Sequence, residues 1–110
     1  MNWTPITFEE LKIVISNGEH NMDQNLLDFW NKIKTVPKKW SEAEYGDEGN
    51  GFWVVAKFKN LVVYYNDIEE GFNISEFKYE GEIQEYGAEQ DELNFAIYKL
   101  VELKNYLFLS

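Results

Sequence analysis

The sequence predicts an α+β domain: two N-terminal helices, then an antiparallel sheet of four or five strands, with one C-terminal helix packed on that sheet. Three observations lead there. Apolar residues recur at three-to-four spacing before Pro37 and again after Glu89. Between Trp40 and Tyr86 the period shortens to two, and glycine-rich or polar turns divide that stretch into short runs. At 110 residues the chain fits one domain.

Within "ITFEELKIVISNG", Thr7 is placed to cap a helix whose third position is Glu10, Ile6 can staple against Leu11, and Gly18 closes it. A helix over about residues 8–17 follows. The β-branched run Ile13, Val14 and Ile15 favours a strand instead, and the caps decide against it. After the polar turn "GEHN", Leu26, Leu27, Trp30 and Ile33 form a stripe separated by Asp28, Asn31 and Lys32, so a second helix starts near Asp23 and stops at Pro37. The short connection makes the two a helical hairpin.

A strand over about 39–45 is expected next, followed across "GDEGNG" by the hairpin "GFWVVAKFKNLVVYYND". A two-residue turn at Lys59 and Asn60 would pair Phe58 with Leu61, Ala56 with Val63, and Val54 with Tyr65. That register places Phe52, Val54, Ala56, Phe58, Leu61, Val63 and Tyr65 on one face, and Trp53, Val55, Lys57, Val62 and Tyr64 on the other. Further strands are expected over about 74–79 and 82–86. The last helix runs from about Glu89 to Lys104, with Leu93, Ala96, Ile97, Leu100 and Val101 as its apolar stripe.

Composition excludes several classes of function. Aromatics at 17% and apolar residues at 45% are too many for a disordered chain. All ten basic residues are lysine, so the bidentate guanidinium fork is missing, and a net charge of -10 repels nucleic acid and anionic lipid. No apolar run approaches the roughly 20 residues that cross a bilayer, and "MNWTPITFEE" lacks a basic start, so a cytoplasmic location is expected. The absence of cysteine removes disulfides and thiolate chemistry. No cofactor is implied.

The charge is unevenly placed. Residues 64–92 hold ten carboxylates and one lysine, whereas residues 1–63 hold nine carboxylates and seven lysines. Nearly all the excess lies in one block, which also carries Tyr64, Tyr65, Phe72, Phe77, Tyr79 and Tyr86. Acids around aromatic rings suit a protein-binding face, since rings supply contact area and acids steer a basic partner. On this reading Asp67, Glu69 and Glu70 are charge contacts and Tyr64, Tyr79 and Tyr86 are anchors. The competing reading packs the rings inward and leaves the acids as a solvated surface.

Other chemistry has less support. His20 lies in the polar turn between the helices, and none of the four serines stands in a nucleophile-elbow context. Asp47, Gly49 and Gly51 fail the spacing of a calcium loop. Asn66, Asp67, Glu69 and Glu70 could gather around a hard cation, but a hairpin loop of solvated acids explains them, and no metal site is expected. Twenty acids guarantee some close carboxylate pair, which makes such a pair uninformative about catalysis, and no enzymatic activity is expected. A self-associating module pairing through Trp53, Val55, Val62 and Tyr64 is the alternative to a binding protein, with a small carboxylate enzyme or metal binder behind it.

The run Tyr65 to Asn73, "YNDIEEGFN", following Trp53 to Val55 and preceding Gln90 to Leu93, resembles a group of small, mostly uncharacterised bacterial proteins. The likeness covers about the C-terminal half and implies no catalytic residues. In type, a small acidic cysteine-free protein is also similar to bacterial immunity proteins directed at nuclease toxins. That resemblance implies an inhibitor whose acidic surface occupies a phosphate-binding site.

Overall fold

The computed structural model describes residues 4–107, without the side chains of Glu48 and Leu107. It is an α+β fold: α1 (Phe8–His20), α2 (Gln24–Ile33), β1 (Lys34–Trp40), a 3-10 turn (Gly46–Gly49), β2 (Phe52–Phe58), β3 (Leu61–Asn66), β4 (Gly71–Glu76) and α3 (Leu93–Leu107). The four strands form an antiparallel meander in the order β1-β2-β3-β4. Among the described residues, no helix is long and apolar enough to cross a membrane.

Local chemistry accounts for both helix starts. Thr7 Oγ1 accepts from the Glu10 N–H at 3.1 Å while the Glu10 carboxylate accepts from the Thr7 N–H at 2.9 Å, completing the capping box. The Asp23 carboxylate accepts from the Leu26 N–H at 2.8 Å and opens α2. Gly18, expected to close α1, lies inside it and buried against α3, where a Cβ would stand 2.5 Å from Leu93 Cβ. Its small size serves close approach of two helices, not a cap.

Several boundaries differ from expectation, among them α1, which runs on to His20, and the last helix, which spans Leu93–Leu107 rather than about Glu89 to Lys104. The second helix ends at Ile33 because Lys34 is already extended, and Pro37 sits within β1, an edge strand that tolerates a missing N–H. The strand expected over 39–45 therefore lies at 34–40, and the one expected over 74–79 lies at 71–76. Residues 82–86 form no strand: Glu82 makes a single bridge with Ser41, and the sheet has four strands.

The hairpin turn falls at Lys59, with φ of 54°, and Asn60; Phe58 pairs with Leu61 and Ala56 with Val63 as expected. Beyond that the register changes. Val54 pairs with Tyr64, not Tyr65, because a bulge at Val55 adds one residue to β2. Val55 and Ala56 consequently both join the core under the three helices, together with Leu61, Val63, Tyr65, Phe72, Leu11, Trp30, Leu93 and Ile97, and Trp53 packs beside them. Phe52 and Val54 turn to the opposite face, where they meet Trp40, Val62, Tyr64 and Ile83. The sheet thus has two cores, one roofed by helices and one by loops.

Candidate functional site

The loop-side core is closed by residues 77–92, the heart of the acidic block. Phe77 stacks edge-on against Trp40 at 5.1 Å, Ile83 is buried, and Tyr86 leans on Phe52 at 6.1 Å. Polar side chains rising from β3 and β4 then fasten the loop backbone. Ser75 Oγ accepts from the Glu85 N–H at 2.9 Å, and the Tyr64 hydroxyl donates to the Glu85 carbonyl at 3.0 Å while accepting from the Gly87 N–H at 2.6 Å. Asn66 Nδ2 donates to the Gly87 carbonyl at 2.8 Å, and Asn73 exchanges two bonds with the Glu89 backbone at 2.9 and 3.1 Å. Ser75, Tyr64, Asn66 and Asn73 are all buried, so each satisfies itself by holding the loop. Gly71 lets the loop pass, since a Cβ there would lie 2.3 Å from Gln90 Cα.

A second acidic loop abuts the first. Glu42 is buried, and its carboxylate accepts from the backbone N–H groups of Glu44, Tyr45 and Gly46 at 2.8–3.1 Å. Asp47 accepts in turn from the Glu42 N–H at 3.0 Å. Two backbone bonds, Ser41 N–H to Gly81 at 2.8 Å and Ile83 N–H to Ser41 at 2.9 Å, join the loops edge to edge. Tyr45 meets Tyr86 at 4.8 Å, Tyr86 reaches Phe52, and Phe52 stacks on Tyr64 at 5.5 Å, a ring ladder running from surface to core.

The structure separates the six residues singled out from sequence. Tyr64 is fully buried, a correction to its expected role as a surface anchor: it faces the loop-side core, and burial raises its hydroxyl well above the usual tyrosine range. Tyr79 is 67% exposed, and Tyr86 is half-buried with one side on the ring ladder. Asp67, Glu69 and Glu70 lie on the β3–β4 turn, which Asn66 shapes by accepting from the Ile68 and Glu69 N–H groups at 3.0 and 3.2 Å. Asp67 is partly committed to structure: one oxygen accepts from the Ile6 N–H at 2.7 Å, tying the turn to the chain entering α1, and burial raises its carboxyl above the usual range. Asp67, Glu70, Glu10 and Tyr65 border a cleft of about 360 Å³ beside α1.

The Asn66 carbonyl oxygen, one of the four groups weighed for a cation, is thus occupied by two N–H donors. Among the described residues no three His, Cys, Asp or Glu side chains gather as a metal site. Trp53, Val55, Val62 and Tyr64 do not share a face: the bulge sends the first two to the helix side and leaves the last two under the loop. His20 is the exposed last residue of α1.

Ion pairs among the described residues join Glu9 to Lys12, Glu80 to Lys57 and Asp91 to Lys99. Of the ten carboxylates in residues 64–92, the other eight have no such cation there: Asp67, Glu69, Glu70, Glu76, Glu82, Glu85, Glu89 and Glu92. Sequence reasoning missed Glu44, Tyr45 and Asp47 as members of the same surface, and Glu42 as the buried carboxylate that shapes their loop. The available cue was "SEAEYGDEG", acids around a tyrosine beside a turn. Comparison with protein-family models, curated proteins and solved structures finds no match.

Proposed function

We propose that this protein is a non-enzymatic binding protein that engages a basic protein partner through its two joined acidic loops and the adjacent β3–β4 turn. Glu69, Glu70, Glu82, Glu85 and Glu89 supply the charge, and Tyr45, Tyr79 and Tyr86 supply the rings. Asp67 contributes charge while holding the turn, and Tyr64 moves from contact to scaffold.

The observation that carries this reading is the clamping of the loop. Charge needed only for solubility works equally well on a loose segment. Here four buried polar side chains hold the acidic backbone at Glu85, Gly87 and Glu89, so the carboxylates beside them stand in a preset array. Preorganisation of that kind lowers the entropy lost on association. Basic proteins include nucleases, whose phosphate-holding clefts are cationic, and an inhibitor or immunity protein against such an enzyme is the narrowest form of the proposal.

The test is stopped-flow association with basic nuclease domains over a range of salt concentrations. Neutralising Glu69, Glu70, Glu85 and Glu89 together to glutamine should slow association at least about tenfold at low salt and flatten its salt dependence. Unchanged on-rates against a partner that does bind would overturn the acidic-surface reading.

A further inference from the structure

We propose that α3 is the contact surface of a weak homodimer in which two copies pack this helix antiparallel. Along its open side α3 exposes Phe95 at 55%, Tyr98 at 57% and Tyr106 at 84%, with Lys99, Glu102 and Tyr106 bordering a cleft beside Ile74 of β4. Large rings left open along one helix face are candidates for an interaction surface. Phe95, Lys99, Glu102 and Tyr106 follow one another at spacings of four, three and four, the rhythm of a coiled-coil seam.

Two further features identify the occupant as a second copy. In an antiparallel pair, positions descend on one helix as they ascend on the other. Placing Phe95 opposite Tyr106 of the second copy therefore places Lys99 opposite Glu102 of that copy, and the two-fold axis repeats both pairings. The seam is self-complementary in ring and in charge. Lys99 keeps its bond to Asp91 at 2.6 Å, and its remaining donors point from a side chain that is half exposed. The second feature is the field: along this seam Lys99 balances Glu102, in a chain of net charge -10. It is a face on which two strongly acidic molecules meet without apposing acid to acid.

A contact of one helix against one helix falls below the roughly 1,200 Å² of a stable interface, so a weak dimer, populated only at high protein concentration, is expected. The net charges still repel at longer range, and salt screens that repulsion, so dimerisation should strengthen as salt rises. Binding of a basic partner at the acidic loops has the opposite salt dependence, which keeps the two proposals separable.

Sedimentation velocity of the whole chain tests it, from tens of micromolar to about 1 mM, at about 0.05 and 0.5 M salt. The expected result is a sedimentation coefficient that rises with concentration, more steeply at the higher salt. Phe95→Ser with Tyr106→Ser should leave a monomer with unchanged circular dichroism, since both rings are exposed. Lys99→Glu and Glu102→Lys should each weaken the dimer, and the double exchange should restore it. A monomer under all conditions overturns the proposal, as does a dimer indifferent to the serine pair. If the serine pair weakens capture of a basic protein while the parent chain stays monomeric, α3 belongs to that other interface and the dimer is refuted.

Discussion

The Tyr64 hydroxyl and the Gly87 N–H meet at 2.6 Å, joining the centre of the sheet to the middle of the acidic loop. The same hydroxyl donates to the Glu85 carbonyl, so one phenol satisfies two backbone groups of residues that lie in no strand. A phenol is protonated at physiological pH in any case, and burial raises this one further, so its donor persists well into the alkaline range.

Removing that oxygen should loosen the loop before it unfolds the domain. Tyr64→Phe leaves the ring packed on Phe52 but strands a donor and an acceptor, and a loss of about 1–3 kcal/mol in urea unfolding is expected. Hydrogen exchange should accelerate most at Glu85, Gly87 and Glu89. Unaltered exchange there would show that Asn66 and Asn73 hold the loop without it.

Gly18 offers a test of helix packing with an inverted sign. In an exposed helix, glycine to alanine stabilises by about 1 kcal/mol. Here the new methyl would meet Leu93 Cβ at 2.5 Å, pushing α1 away from α3, so Gly18→Ala should destabilise by about 1–3 kcal/mol. A higher melting temperature for the variant would mean that the helices separate without loss.

Asp67 and Glu10 should respond oppositely to pH. Burial raises the Asp67 carboxyl in the folded state, so the native protein holds its proton more tightly than the unfolded chain, and this group erodes stability as pH rises through the raised value. Asp67→Asn keeps an acceptor for the Ile6 N–H and should raise the melting temperature at pH 7, with the gain fading as pH falls into the carboxylate range. The Thr7 bonds lower the Glu10 carboxyl, so its contribution is present above the ordinary glutamate range and is lost as pH falls through the lowered value. Glu10→Gln should therefore cost stability at neutral pH and little under strong acid. Thermal melts of both variants from pH 3 to pH 7 measure the two trends.

Local chemistry was readable wherever a few neighbouring residues decide it. The capping box at Thr7 and Glu10, the two-residue turn at Lys59 and Asn60, and the apolar stripe of the last helix depend on contacts within one turn of chain. The bulge at Val55 was not readable, because "FWVVA" is apolar at every position and both sheet faces are covered. Alternation fixes register only where one face is wet. The same ambiguity produced the supposed face of Trp53, Val55, Val62 and Tyr64.

By itself the sequence determined the α+β class, the order of helices and strands, and the concentration of acid between Tyr64 and Glu92, since these follow from periodicity and composition. Only the tertiary structure decided what the asparagines and tyrosines of that block do. Tyr64, Asn66 and Asn73 read as ordinary polar or aromatic residues of a hairpin, yet their partners lie 16 to 23 residues away at Glu85, Gly87 and Glu89. Buried polar groups must find hydrogen bonds, and where they find them depends on the path of the whole chain. That path turned an acidic stretch into a clamped surface.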